Sequence, residues 1–230
     1  AALTTGVHNT FVGNSAADGM VEGSYNIAIG SDALGGTKDG TADSSQFNIF
    51  MGVNSGNGAW VTAVSQYNVG IGHYTLDGAM NGAIHNTGVG HQALSAITTG
   101  DYNTAFGSTA LYNTSIGEQN VAMGYKALFT NSTGDNNVAI GHVALHTIAG
   151  ADNNTAVGTV SGYSVTTASG SAFLGYQAGR SVSTGNDNIA IGNSAMYGGT
   201  VTGDNNIAIG ASAGDALTSG YSNTFLGNDS

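Results

Sequence analysis

Apolar and polar residues alternate in a five-residue figure, Asn-[Thr/Ile/Val]-[Ala/Phe/Gly]-apolar-Gly, that returns thirteen times. Its first residue falls at Asn9, Asn26, Asn48, Asn68, Asn86, Asn103, Asn120, Asn137, Asn154, Ser171, Asn188, Asn206 and Asn223. Successive spacings are 17, 22, 20 and 18, then six of 17, then 18 and 17. A period this short leaves room for two short strands and two turns but not for a helical hairpin, and it predicts coils that bury a core only by stacking. The fourth residue of the figure is always large and apolar, from Val12 and Ile29 to Ile209 and Leu226, and the second is Thr, Ile, Val or once Ala. Alternation of period 2 marks a strand, and these two positions are expected to face the coil interior. The residue between them is Ala or Gly in most copies and Phe at Phe11, Phe50, Phe173 and Phe225. Both faces therefore read as apolar, which argues for cover on both sides, the outer one supplied by another chain.

Three residues past the Gly stands a small residue such as Ala33, Ala93 or Ala144, often followed by Leu, as at Leu34, Leu76, Leu94, Leu111, Leu128 and Leu145. This Gly-x-x-Ala-Leu run predicts a tight corner with Leu opening a return strand. The Gly is expected where positive φ or a close backbone approach is needed. Stacked coils superimpose their Asn amides at about 4.8 Å, able to bond to one another or to tie down the turns. The anchors Asn26 and Gly30, Asn103 and Gly107, Asn137 and Gly141, Asn188 and Gly192, and Asn206 and Gly210 are thus structural residues. A near-match at Asn113–Gly117 is out of phase and reads as part of the return segment. The pattern predicts an all-β fold, a parallel β-solenoid of about thirteen coils filling residues 1–230 as a single repeat domain, part of a longer fibre.

Composition changes the picture in two ways. There are 38 Gly and no Pro, as suits a ladder that uses nearly every backbone N–H. Three basic residues against fourteen acidic ones give a formal charge of -11, which disfavours nucleic acid and anionic membranes as partners. With no Cys there are no disulfides or thiolate sites, and no apolar run has the length of a membrane span.

The figures Asn26-Ile-Ala-Ile-Gly30, Asn137-Val-Ala-Ile-Gly141, Asn188-Ile-Ala-Ile-Gly192 and Asn206-Ile-Ala-Ile-Gly210 resemble the head repeat of the YadA-like trimeric autotransporter adhesins, and similar repeats of bacteriophage tail fibres. The resemblance covers essentially the whole chain. It implies a left-handed parallel β-roll, a homotrimer, placement outside the cell on a bacterial surface or virion, and attachment to a host-surface glycan or protein receptor. The coils here are somewhat longer than the usual head repeat, and no neck motif, heptad stalk or membrane anchor is visible.

Candidate chemistry is sparse. Gly88-Val-Gly90-His-Gln-Ala93 matches a dinucleotide-binding fingerprint only in form, since no helix signal follows it. His73, His91 and His142 follow the anchor Gly and read as solvated imidazoles, while His8, His85 and His146 share no such position. Asp101, Asp135, Asp187 and Asp204 recur near one turn, with Asp152 close by, and form a weak Ca²⁺ candidate without the calcium-repeat spacing. No other cofactor is expected. Tyr25, Phe47, Tyr67, His85 and Tyr102 directly precede five consecutive anchor Asn residues, an aromatic column suited to stacking on sugars, on itself or under an interface. The two longest coils carry Lys38 and the single Trp60, the first place to seek a ligand contact. Only Glu22 and Glu118 are glutamates and no nucleophile stands beside a base, so no enzyme is expected. The leading expectation is an adhesive fibre segment. An ice- or crystal-surface binder is the alternative, and a glycan-degrading tailspike the third.

Overall fold

A computed structural model describes residues 5–36, 44–60 and 63–230. The described residues form an all-β, parallel β-solenoid with no α-helix, and they fall into two compact units divided after Glu118. The first unit holds β1 (Thr10–Val12), β2 (Ile27–Ile29), β3 (Ile49–Met51), β4 (Val69–Ile71), β5 (Thr87–Val89) and β6 (Thr104–Phe106). The second holds β7 (Val121–Met123), β8 (Val138–Ile140), β9 (Thr155–Val157), β10 (Ala172–Leu174), β11 (Ile189–Ile191), β12 (Ile207–Ile209) and β13 (Thr224–Leu226). Within each unit every strand pairs in parallel with the next, like position on like: Ile27 on Ile49, Ala28 on Phe50 and Ile29 on Met51 in the first, Val138 on Thr155 and Ala139 on Ala156 in the second.

The anchor Asn residues are buried except at Asn9 and Asn223, and they form hydrogen-bonded columns. Asn48 donates its backbone N–H to Asn26 Oδ1 at 3.0 Å, and its Nδ2 donates to the same oxygen at 3.3 Å and to Ser65 O at 2.9 Å. Asn154 repeats the arrangement on Asn137 Oδ1 and Ala168 O. Each amide thus ties its own strand start to the coil before it and to the turn of the coil after it. Gly30 (φ 135°) shows why the anchor ends in Gly: a Cβ there would lie 2.5 Å from the carbonyl oxygen of Gly52 in the next coil.

Two expectations are overturned. The first is the facing of the strands. The middle residue is the inward one, with Ala28, Phe50, Ala105, Ala139 and Phe173 all buried, while the large flanking residues stand half-buried or exposed outside. A coil of about 17 residues has too narrow an interior for Ile or Met along the strand wall once the corner Leu is inside. Leu34, Leu76, Leu94, Leu111, Leu128 and Leu145 are fully buried, and a Cβ on the strand residue Gly88 would already sit 2.9 Å from Leu76 Cδ1. The second is the return strand. Among the described residues each coil has one three-residue strand, with isolated bridges at Gln66–Ile84 and Val182–Val201, and the Leu continues the turn. Left-handed residues alternate there, as at Asp32 (φ 54°) and Leu34 (φ 53°), so the chain cannot extend. It still bonds to the next coil, Leu34 N to Ser55 O at 2.8 Å and Leu128 N to Ala144 O at 3.0 Å.

Candidate functional site

The facing of the strands sets two outward columns on every coil. One carries Thr, Ile or Val, and once Ala172, and the other carries Val12, Ile29, Met51, Ile71, Val89 and Phe106 in the first unit, and Met123, Ile140, Val157, Leu174, Ile191, Ile209 and Leu226 in the second. Phe106 is 44% exposed and Leu174 51%. Isolated exposed apolar residues are ordinary on a protein surface, whereas here they recur in register, half-buried or exposed, on successive coils.

The residue before each anchor Asn adopts a left-handed conformation, from His8 (φ 58°) to Tyr102 (φ 58°) in the first unit. In the second unit that position holds Asn136, Asn153, Gly170, Asp187 and Asn205, residue types that tolerate it well, with Gln119 and Ser222 at the first and last anchors. In the first unit it holds rings, stacked face to face in the order His8, Tyr25, Phe47, Tyr67, His85, Tyr102 with centroids 4.8–5.1 Å apart. The column expected from Tyr25, Phe47, Tyr67, His85 and Tyr102 therefore forms and gains His8. Its ring faces are spent on one another, so edges and hydroxyls are what it presents to solvent.

Trp60 is corrected from a surface candidate to a core residue. It is 1% exposed and packs edge-on against the inward ring of Phe50 at 5.7 Å. Its indole Nε1 has no hydrogen-bond partner among the described residues. Lys38 lies outside the described residues.

The acidic candidates separate. Asp101, Asp135 and Asp204 stand two residues before an anchor Asn and Asp187 one before. Asp101 Oδ1 accepts from Ile84 N at 2.8 Å, and Asp204 Oδ1 from Asn186 N at 2.7 Å. Asp135 donates its own N–H to Asp152 Oδ1. The carboxylates of Asp101, Asp152 and Asp204 act as acceptors for turn backbone, and among the described residues no three His, Cys, Asp or Glu side chains gather as metal ligands. His73 Nδ1 accepts from Val53 N, and His91 meets Tyr74 edge-on. Burial raises the Asp77 carboxyl above its ordinary range, opposed by a hydrogen bond from Ser95, its own backbone and the charge of His91. Ser95 donates to that carboxylate and not to an imidazole, so the group is not a nucleophile with its base.

A second column in the second unit escaped the sequence reading. Phe129, His146, Tyr163, Arg180 and Tyr197 follow their anchors by nine residues each, and this 17-residue spacing was the available signal. Phe129, His146 and Tyr163 stack at 5.2 and 5.1 Å. The Arg180 guanidinium lies between the rings of Tyr163 and Tyr197, 5.8 and 5.3 Å from their centroids, and Lys126 Nζ sits 5.1 Å from that of Phe129. Burial and the nearby Lys126 charge hold the His146 imidazole below its usual basicity. No helix among the described residues is long and apolar enough to cross a membrane. Comparison with protein-family models, curated proteins and solved structures returns no match.

Proposed function

We propose that the chain is a structural and adhesive fibre segment: a homotrimeric β-roll of left-handed coils, carried outside the cell on a bacterial appendage or phage tail fibre. The observation that carries this reading is the outward apolar strand face, repeated coil after coil within each unit, from Val12 to Phe106 and from Met123 to Leu226. Such a greasy ladder on a chain of charge -11 is best satisfied by a second and third copy of the same ladder. The segment then presents its other sides to a host-surface glycan or protein receptor, and the reading assigns it no reaction.

Light scattering of the intact chain at micromolar concentration tests it. The expected mass is three protomers, and Ile140→Lys with Leu174→Lys is expected to give a monomer with unchanged far-ultraviolet circular dichroism. A wild-type monomer under those conditions sinks the reading. The ice-binding alternative is favoured by one observation only, the outward placement of Thr10, Thr87, Thr104, Thr155 and Thr224. Those threonines are interrupted by Ile and Val, and thermal hysteresis of a dilute solution discriminates the two.

A further inference from the structure

Arg180 is placed unlike any other charged group in the second unit. Its side chain is drawn in beside the column, with Nε buried and without a hydrogen-bond partner, and both neighbouring coils supply a tyrosine ring against the guanidinium. No carboxylate pairs with Arg180 or Lys126 among the described residues, although acidic residues far outnumber basic ones in this chain. Aromatic rings on both sides fix a guanidinium in one plane and leave its fork of N–H donors as the part able to recognise a ligand. An ion pair within the chain would have neutralised that fork. The rings hold it ready without doing so.

At the other end of the column, three coils away, Lys126 brings its Nζ to 5.1 Å from the Phe129 ring centroid. At about 4.8 Å per coil the two cations are on the order of 15 Å apart. Between them run His146 and the half-buried ring of Tyr163, and beyond Arg180 the exposed ring of Tyr197 has no aromatic partner on its far side among the described residues. The column lies half a coil in sequence from the strand, so it stays open when the outward strand face is covered. Two spaced cations, ring surface and phenol hydroxyls fit an extended ligand with spaced carboxylates. A peptide would be expected to use a groove or a free sheet edge, and the residues of this column lie outside the strands.

We propose that the Lys126–Tyr197 column binds a linear acidic polysaccharide, a polyuronate chain lying along the coil axis with one carboxylate held in bidentate fashion by Arg180 and another near Lys126. The inference rests on the adhesive part of the proposed function and not on trimer formation. The overall negative charge opposes approach at long range, so recognition depends on the short-range fork and not on steering.

Calorimetric titration of the full chain with oligogalacturonate tests the proposal. Binding is expected for the acid form and not for its methyl ester. Arg180→Gln is expected to weaken it by about tenfold or more, and Arg180→Lys by about threefold, because the charge stays while the fork is lost. Lys126→Gln is expected to weaken long oligomers while leaving dimers unchanged. Circular dichroism of each variant separates loss of the site from loss of the fold. Absence of binding to the wild type, equal affinity for the ester, undiminished affinity in folded Arg180→Gln, or equally tight binding of polyglutamate would each overturn it. Light scattering on the same samples keeps the two readings apart: a monomer that binds sinks only the trimer, and a trimer that does not bind sinks only this site.

Discussion

The buried Asn column shows how one side chain holds a coil, and its single departure gives the sharpest test. Ser171 keeps half of the role. Its N–H reaches Asn154 Oδ1 at 3.0 Å and its Oγ accepts from Asn188 N at 3.2 Å, but it has no amide to donate onward. At every comparable step an Asn Nδ2 reaches the carbonyl three residues before the next anchor, as Asn154 does to Ala168 and Asn188 to Gly203. Ser171→Asn is expected to supply the missing donor toward Gly185 and to bond with the amides above and below. One net buried hydrogen bond contributes about 1 kcal/mol, and the Tm should rise by about 2–4 °C. A scanning-calorimetry Tm that falls would mean that Ser171 fills a space too small for the amide.

At the level of the coil, the inward strand residue and the corner residue share one volume. Six coils fill it with a small residue and Leu, as Ala105 does with Leu111, while the coils of Phe50 and Phe173 carry Gly56 and Gly179 at the corner. A Cβ on Gly56 would meet Phe50 Cδ1 at 2.7 Å, and one on Gly179 would collide with Phe173 Cδ1. Phe173→Ala alone should cost about 3–5 kcal/mol for the cavity it leaves. Gly179→Leu alone should be destabilising by collision with the same ring. Combined, the two rebuild the commoner pairing and should recover most of the loss, a strongly favourable coupling in a denaturant double-mutant cycle. Simple additivity would show that the two positions do not share space. The repeat, the strand positions and the Asn column were legible because they depend on spacing alone. The facing was not, since alternation names two faces without saying which is inside, and Ile29 outside with Ala28 inside follows only from the width of the coil. The turn at Leu34 was missed because its left-handed backbone runs against the preference of Leu. On the candidate surface, the Tyr25–Tyr102 column could be read from adjacency to Asn, while the column through Arg180 mixes ring and cation and has no single residue type to reveal it.

For the molecule as a whole, repetition makes length a modular property. Every contact of a coil is with its neighbours, so removing one complete period joins two surfaces that already match. Coil spacing in this chain varies upward from 17 to 22 residues and never below 17, which means that a turn accepts extra residues but the circuit has a minimum length. Deletion of residues 137–153 removes one period of 17, brings Asn154 against Asn120, and places Asn136 before an anchor Asn as it stands now. That variant is expected to keep a cooperative thermal transition and lose only a few degrees in Tm. Deletion of residues 134–153 leaves a circuit of 14, shorter than any coil in the chain, and the Asn column and the strand ladder cannot both be satisfied across it. It should lose the cooperative transition or melt far lower, as followed by circular dichroism. Similar behaviour of the two deletions would show that the core tolerates misaligned coils, and with that the stacking of like on like would cease to be what holds this fold.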